Sequence, residues 1–220
     1  MTTFIFLRHA VSTANEAGLL AGRIPGIELS TKGEKQAKSL VHILNSLHID
    51  KVLVSPQDRC LQTIKPWLTQ TRRRAVKEGA FQEMDYGVWS GCKLKDLSKT
   101  KEWKQIQKSP STFKFPDGES FLAAQRRVQK GLSLISEKYP KRNILIVSHG
   151  DIIKMAVAST LNLEIDKFQR IIVDPASLTT LVWQGNQRSV VSLNSTLKRD
   201  VKEKPKSLAN RRVLGGGSGE

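Results

Sequence analysis

Four short segments hold the residues whose types and spacing could do chemistry: LRHAVSTAN (7–15), SPQDRCLQT (55–63), QEMDYGVWSG (82–91) and VSHGDIIK (147–154). Together they contribute Arg8 and Arg59, His9 and His149, Glu83 and Asn15. That set suits phosphoryl transfer. A phosphoryl group carries nearly two negative charges, and its site must present several donors that stay in place as charge moves onto the equatorial oxygens. Arg8 and Arg59 supply forked cationic donors, and His149 and the Asn15 amide can each donate a further hydrogen bond. The backbone N–H of Gly150 or Asp151, at the opening of a helix, adds donors backed by the helix dipole. Ser12 and Gly22 complete the expected substrate contacts, and the cradle so composed is complete without a metal or other cofactor.

The nucleophile must be a side chain whose lone pair can lie in line with the leaving oxygen, and a neutral imidazole meets that need near neutral pH. His9 is chosen over His149 because the adjacent Arg8 disfavours the imidazolium form. A carboxyl group must protonate the departing alkoxide and later take a proton from water. Glu83 is the candidate, with Asp85 as the fallback.

These segments need elements that gather them. TFIFL (3–7) reads as a buried strand delivering Arg8 and His9 at its carboxyl end, where ligands sit in open α/β sheets. Ser12 to Ser30 reads as a loop with a short helical piece. Ala37, Leu40, Val41, Leu44 and Leu47 recur at helical spacing after a cap at Ser30 or Thr31. KVLVS (51–55) is a second strand, followed after Pro56 by a helix bearing Arg59, Thr63 and Trp67. Residues 81–91 read as a site-forming loop, 99–107 and 120–138 as helices, NILIVS (143–148) as a strand and 151–163 as a helix. Strand-like runs at 168–173, 177–183 and 189–193 close the pattern. The alternation predicts an α/β three-layer sandwich, a central mostly parallel mixed sheet flanked by helices. Residues 1–196 form a single catalytic domain in this reading, and 197–220 a basic, Gly-rich tail.

Bulk properties bound the rest. The 220 residues suit one cored domain. A 39% hydrophobic share excludes a disordered chain, no run is long enough for a membrane span, and no signal peptide is evident. A cytoplasmic setting is expected. Cys60 and Cys92 are too few for a disulfide scaffold and are read as inert. Lys and Arg number 36 against 20 Asp and Glu, a net charge of +16 that favours anionic partners without naming one.

The ordered blocks RHxxSTxN, SPxxRxxQT, ExDYGxWxG and SHG resemble the histidine phosphatase superfamily, in its phosphoglycerate mutase-like branch. The resemblance implies that His9 is phosphorylated, that Arg8, Arg59 and His149 line the phosphate pocket, that Asn15 adds a contact and that Glu83 is acid and base. LAGRIPGIELSTKG, EMDYGVWSGCKL, FPDGES and FQRIIVDPASL are further similar to actinobacterial proteins labelled probable phosphomutases. Two departures stand out: Ala10 follows the histidine where glycine is usual, and Met84 stands where mutases place an arginine for the phosphoglycerate carboxylate. Phosphoglycerate is therefore not the expected substrate. Arg126 and Arg127, with Trp89 or Trp103, are candidates for the leaving-group side.

The leading expectation is a metal-independent phosphomonoesterase acting on a small phosphorylated metabolite. A phosphomutase using the same intermediate stands as the alternative. A nucleic-acid binder, or a phosphoprotein-directed regulatory protein, belongs to a different class. Expected partners are a small phosphorylated substrate and phosphate, with nucleic acid only as weak electrostatic binding, no membrane, and a homodimer left open.

Overall fold

In the computed structural model, which describes residues 1–196, thirteen helices and strands form one sheet and its cover. Their order is β1 (Thr2–Arg8), α1 (Thr13–Glu16), α2 (Thr31–Ser46), β2 (Lys51–Val54), α3 (Asp58–Thr71), β3 (Val76–Lys77), α4 (Leu94–Leu97), α5 (Lys101–Lys108), α6 (Phe121–Lys138), β4 (Asn143–Ser148), α7 (Gly150–Thr160), β5 (Leu178–Gln184) and β6 (Gln187–Ser195). The tail expected over 197–220 lies outside the described residues.

The six strands lie in the order β3-β2-β4-β1-β5-β6. The first four run parallel, and β5 and β6 join antiparallel. This is the mixed, mostly parallel sheet read from the sequence. Side chains alternate across it, as the two-residue strand period requires. Phe4, Phe6, Ile144 and Ile146 pack with α6 and α7 residues such as Val128, Leu132 and Ile153 on one face. Ile5, Leu7, Leu145 and Val147 pack with Leu40, Leu44, Ile64 and Trp67 of α2 and α3 on the other. Because both faces are covered, the central strands read as unbroken apolar runs.

Helix starts follow their caps. The Ser30 hydroxyl accepts from Gly33 N (3.2 Å), and Ser120 accepts from Ala123 N (3.1 Å). Trp67, Phe121 and Trp183 are core residues, as read. His42 and His48 are exposed on α2 and just after it, apart from the site.

Two readings need correction. Residues 168–173 are not a strand: a 3₁₀ turn spans Ile165–Arg170, and Phe168 is fully buried with its ring 5.5 Å from that of Phe121. Apolar Phe168, Ile171 and Val173 all turn inward, so a turn followed by an extended connection imitates strand composition. Conversely, Val76 and Lys77, at the end of a mostly polar stretch, do form a strand, an exposed edge paired to Leu53 and Val54 of β2. Its existence comes from the neighbouring strand, since a single exposed valine in a two-residue element is too short a signal to read.

Candidate active site

β1 and β4 are adjacent parallel strands with Arg8 opposite Ser148, so the residues that follow, His9 and His149, emerge at one edge. The His9 amide donates to Ser148 O (2.9 Å), and the two imidazole centroids are 5.3 Å apart. β2 ends beside them, and the first turn of α3 brings in Arg59, whose Nη2 lies 3.0 Å from His149 Nδ1. Segments more than a hundred residues apart thus meet where parallel strands end.

His9 is 3% exposed, with Nδ1 2.7 Å from its neighbour's carbonyl, Ala10 O. A carbonyl only accepts, so Nδ1 carries the proton and Nε2 keeps the lone pair. Burial first, then Arg59 and Arg8, hold the ring well below 6.5, and the Ala10 bond opposes them only partly. The ring is neutral at physiological pH. Desolvation outweighs the Arg8 effect to which neutrality was credited from sequence. Ala10 has no positive φ, so its methyl imposes no backbone strain. Its N–H donates to Thr63 Oγ1 (2.9 Å), which donates in turn to Arg59 O (2.6 Å) and ties the His9 loop to α3.

The arginines are almost completely buried, at 1% exposure each. Arg8 Nη1 donates to Val173 O (2.7 Å), in the segment misread as a strand, while its Nε and Nη2 have no acceptor among the described residues. Arg59 Nη2 donates to Gly22 O (2.8 Å), while its Nη1 has none. Burial lowers Arg8 to about 10, which leaves it cationic at neutral pH. Buried charged donors without acceptors are costly unless an anion completes them. A phosphoryl group fits that requirement.

His149 is differently engaged from what the sequence suggested. Its Nδ1 accepts from Arg59, and its Nε2 reaches Ser55 Oγ (2.7 Å) and Gln57 Oε1 (3.1 Å), the latter pair also bonded to each other. Burial, Arg59 and then His9 keep it well below 6.5. One ring nitrogen thus orients Arg59, and Ser55 and Gln57 fix the ring through the other.

The cleft is lined by His9, Ser12, Asn15, Gly22, Arg59 and Glu83, with Leu19, Ala21 and Tyr86 as its apolar wall. Ser12 and Asn15 form a capping box at α1: Asn15 N donates to Ser12 Oγ, and Asn15 Oδ1 accepts from Ser12 N (3.0 Å) and Oγ (2.9 Å). Since Oδ1 is used, the Asn15 amide nitrogen is the group left to donate. Gly22 adopts φ +52°, and a Cβ there would lie 2.9 Å from Ser90 Oγ and 3.1 Å from the Tyr86 ring. Gly150 and Asp151 are fully buried in the first turn of α7 and are not among the lining residues.

Glu83 is 3% exposed, and its Oε1 accepts from Met84 N (3.0 Å). Burial, and after it the Asp151 charge, raise it from 4.5 to about 7 against the pull of Arg59 and Arg8. A carboxyl group poised there can give a proton and take one back. Asp85, the fallback, turns outward: its side chain is 42% exposed, 3.5 Å from Arg23 Nη1, and its Oδ1 accepts from Gly87 N (3.0 Å).

Sequence reasoning missed what holds the Glu83 loop. Arg23 donates to Glu83 O (2.9 Å) and to Glu119 Oε2 (3.0 Å). Arg127 forks onto Glu119 (2.9 and 3.0 Å) and donates to Ala80 O (2.8 Å) and Gln82 O (3.0 Å). Arg127 is thus a clamp on the loop and does not line the cleft, and Arg126 is exposed. Trp89 packs on Phe113 and Phe115, and Trp103 is buried in the same cluster. No local pattern advertised Arg23 or Glu119. Ser55 and Gln57 at least follow a predicted strand end.

No helix among the described residues is long and apolar enough to cross a membrane. The sheet order and its helical cover are those of the phosphoglycerate mutase-like fold, with buried imidazoles and guanidinium groups gathered at the strand ends. The profile of the histidine phosphatase superfamily (branch 1) matches residues 4–196, and the chain belongs to that superfamily and is a phosphatase. Phosphoserine phosphatase 1 of Hydrogenobacter thermophilus is 26% identical over 89% of this chain and 93% of its own. The adenosylcobalamin/alpha-ribazole phosphatase of Salmonella typhimurium is 29% identical over 71% and 78%. The crystal structure of the alpha-ribazole phosphatase of Shigella flexneri superposes with a TM-score of 0.79, at 25% identity over 88% of this chain and 96% of that one.

Proposed function

We propose that this chain is a metal-independent phosphomonoesterase that transfers the phosphoryl group of a small phosphorylated metabolite to water through a phosphohistidine at His9. The observation that carries this is the ring state of His9: with Nδ1–H fixed on Ala10 O, the Nε2 lone pair is left for chemistry beside three unsatisfied guanidinium donors. Nε2 attacks phosphorus, the ester P–O bond breaks, and the leaving oxygen takes the proton of Glu83. Arg8 and Arg59 hold the equatorial oxygens throughout. Water then gives a proton to the Glu83 carboxylate as its oxygen bonds to phosphorus. The P–N bond breaks, returning the lone pair to Nε2 and releasing phosphate.

The narrow cleft with its partly apolar wall supports a small substrate, as do relatives whose names refer to phosphoserine and alpha-ribazole. Met84 is fully buried and apolar beside Glu83, which argues against a phosphoglycerate carboxylate there. Nucleic acid enters this reading only as a weak, salt-sensitive contact of a basic surface. Free Cys60 and Cys92 fit a reducing, cytoplasmic setting.

Hydrolysis of p-nitrophenyl phosphate should survive chelators and be abolished in His9→Ala. Acid-labile, base-stable label from a radioactive phosphomonoester should be trapped on the wild type alone. A panel of phosphorylated metabolites then names the substrate. Slow hydrolysis with fast exchange between phosphosugar isomers would replace the phosphatase reading by a phosphomutase one.

A further inference from the structure

Tyr86, which lines the cleft with Glu83, leads from it to a second buried carboxyl group that the proposed hydrolysis does not use. Asp151, fully buried in the first turn of α7, accepts from the Tyr86 hydroxyl on Oδ2 (3.0 Å) and from Lys154 Nζ on Oδ1 (3.3 Å). Lys154 is itself 1% exposed, donates to Gln169 Oε1 (3.1 Å), and stands 5.8 Å from the Phe168 ring centroid. An ammonium group in an otherwise apolar helix is tolerated only when paired, and here its partner points toward the active site through Tyr86. That ring lines the cleft beside Glu83 while its hydroxyl reaches Asp151.

We propose that Asp151 is a positioning residue for the catalytic proton: its carboxylate, fixed by Tyr86 and Lys154, disfavours a second negative charge nearby and so keeps Glu83 in its acid form. The proposal rests on Glu83 being the proton donor of the preceding section. A buried negative charge disfavours a second one nearby, and the Lys154 ammonium 3.3 Å away offsets charge at Asp151 while Glu83 has no lysine partner among the described residues. Asp151 is the largest charge acting to raise Glu83. Against it stand Arg59 from α3 and Arg8 from β1. His149 Nδ1 lies 3.7 Å from Glu83 Oε2, and Arg23 contacts the Glu83 backbone. His9 and Tyr86 complete the lining, both uncharged. Burial is the larger influence on Glu83, so without Asp151 the two guanidinium groups would leave a smaller share of Glu83 with a proton to give at neutral pH.

The test compares wild type, Asp151→Asn, Asp151→Glu and Glu83→Gln on an alkyl phosphate and on p-nitrophenyl phosphate across the pH range. An alkoxide needs the proton, and a nitrophenolate does not. For the alkyl ester, Asp151→Asn should move the alkaline limb of kcat/KM down by about one pH unit, about a fivefold loss at pH 7 that approaches tenfold above it and disappears at acid pH. The aryl ester should change far less, and Asp151→Glu should bring the limb back. An unmoved limb in Asp151→Asn, beside a Glu83→Gln variant that still separates the two esters, overturns the role of Asp151 and leaves the acid assignment standing. An equal loss on both esters at every pH also overturns it, as the mark of a purely structural part. If Glu83→Gln fails to separate the esters, the acid assignment itself falls. Should Asp151→Asn not fold, infrared spectra of the wild type with isotope-labelled aspartate locate the proton: an acid band lost in Glu83→Gln supports the proposal, and one that shifts with the aspartate label overturns it.

Discussion

Two pairs of arginines flank the same loop and do opposite things. Arg8 and Arg59, at the sheet edge, are buried and keep three N–H donors without an acceptor among the described residues. Arg23 and Arg127, a few residues of loop away, are part-exposed, and both bind Glu119 and backbone carbonyls. The contrast teaches that a guanidinium group is left for a ligand only where its fork is not already filled by the protein. Position in a motif does not decide this, since Arg127 was read from sequence as a candidate for the leaving group.

Breaking the first pair should have the largest effect. Arg59→Ala should lower kcat/KM for a phosphomonoester by about two to three orders of magnitude. Arg59→Lys should not rescue it, because one ammonium cannot span Gly22 O and a phosphoryl oxygen. Wild-type kinetics in either variant would dissolve the distinction between the pairs. Next comes pH. Glu83 must be protonated for the first step and sits at about 7, so activity on alkyl esters should fall as pH rises through that value, by about tenfold per unit beyond it. A profile that instead rises through neutrality would remove Glu83 as acid. In the second pair, Glu119→Gln leaves two guanidinium groups without their shared carboxylate. It should cost about 1–3 kcal/mol in denaturant unfolding, with a smaller loss of kcat as the Glu83 loop slackens. The smallest effect belongs to Asp85→Asn. This half-exposed pair with Arg23 should be worth less than about 0.5 kcal/mol, and kcat should stay near wild type. A collapse of kcat there would restore Asp85 as the acid.

Much of the site was legible because its residues lie next to strand ends, and strand ends are marked by where an apolar run stops. TFIFL and NILIVS announce their own carboxyl edges, so Arg8, His9 and His149 could be placed together before any coordinates. Arg23, Glu119 and Arg127 come from three unrelated segments, and nothing local distinguishes their charges from solvated ones. Asp151 was assigned for its backbone amide, whereas its side chain is the engaged part. The signal was present: an acid and a lysine three residues apart are the two charged side chains of an otherwise apolar helix. Residues 168–173 failed for a different reason, because inward-facing apolar residues on a turn match the composition of a strand without its hydrogen bonds.

The His9 amide is bonded to Ser148 O, and the next amide to Thr63 on α3, directly after a central strand flanked on both sides. The backbone of His9 therefore has almost no latitude of its own. Amide hydrogens at residues 9 and 10 should exchange with solvent only when the whole domain unfolds. Any adjustment to differently shaped esters must then come from the opposite wall, where Leu19 and Ala21 sit in a loop.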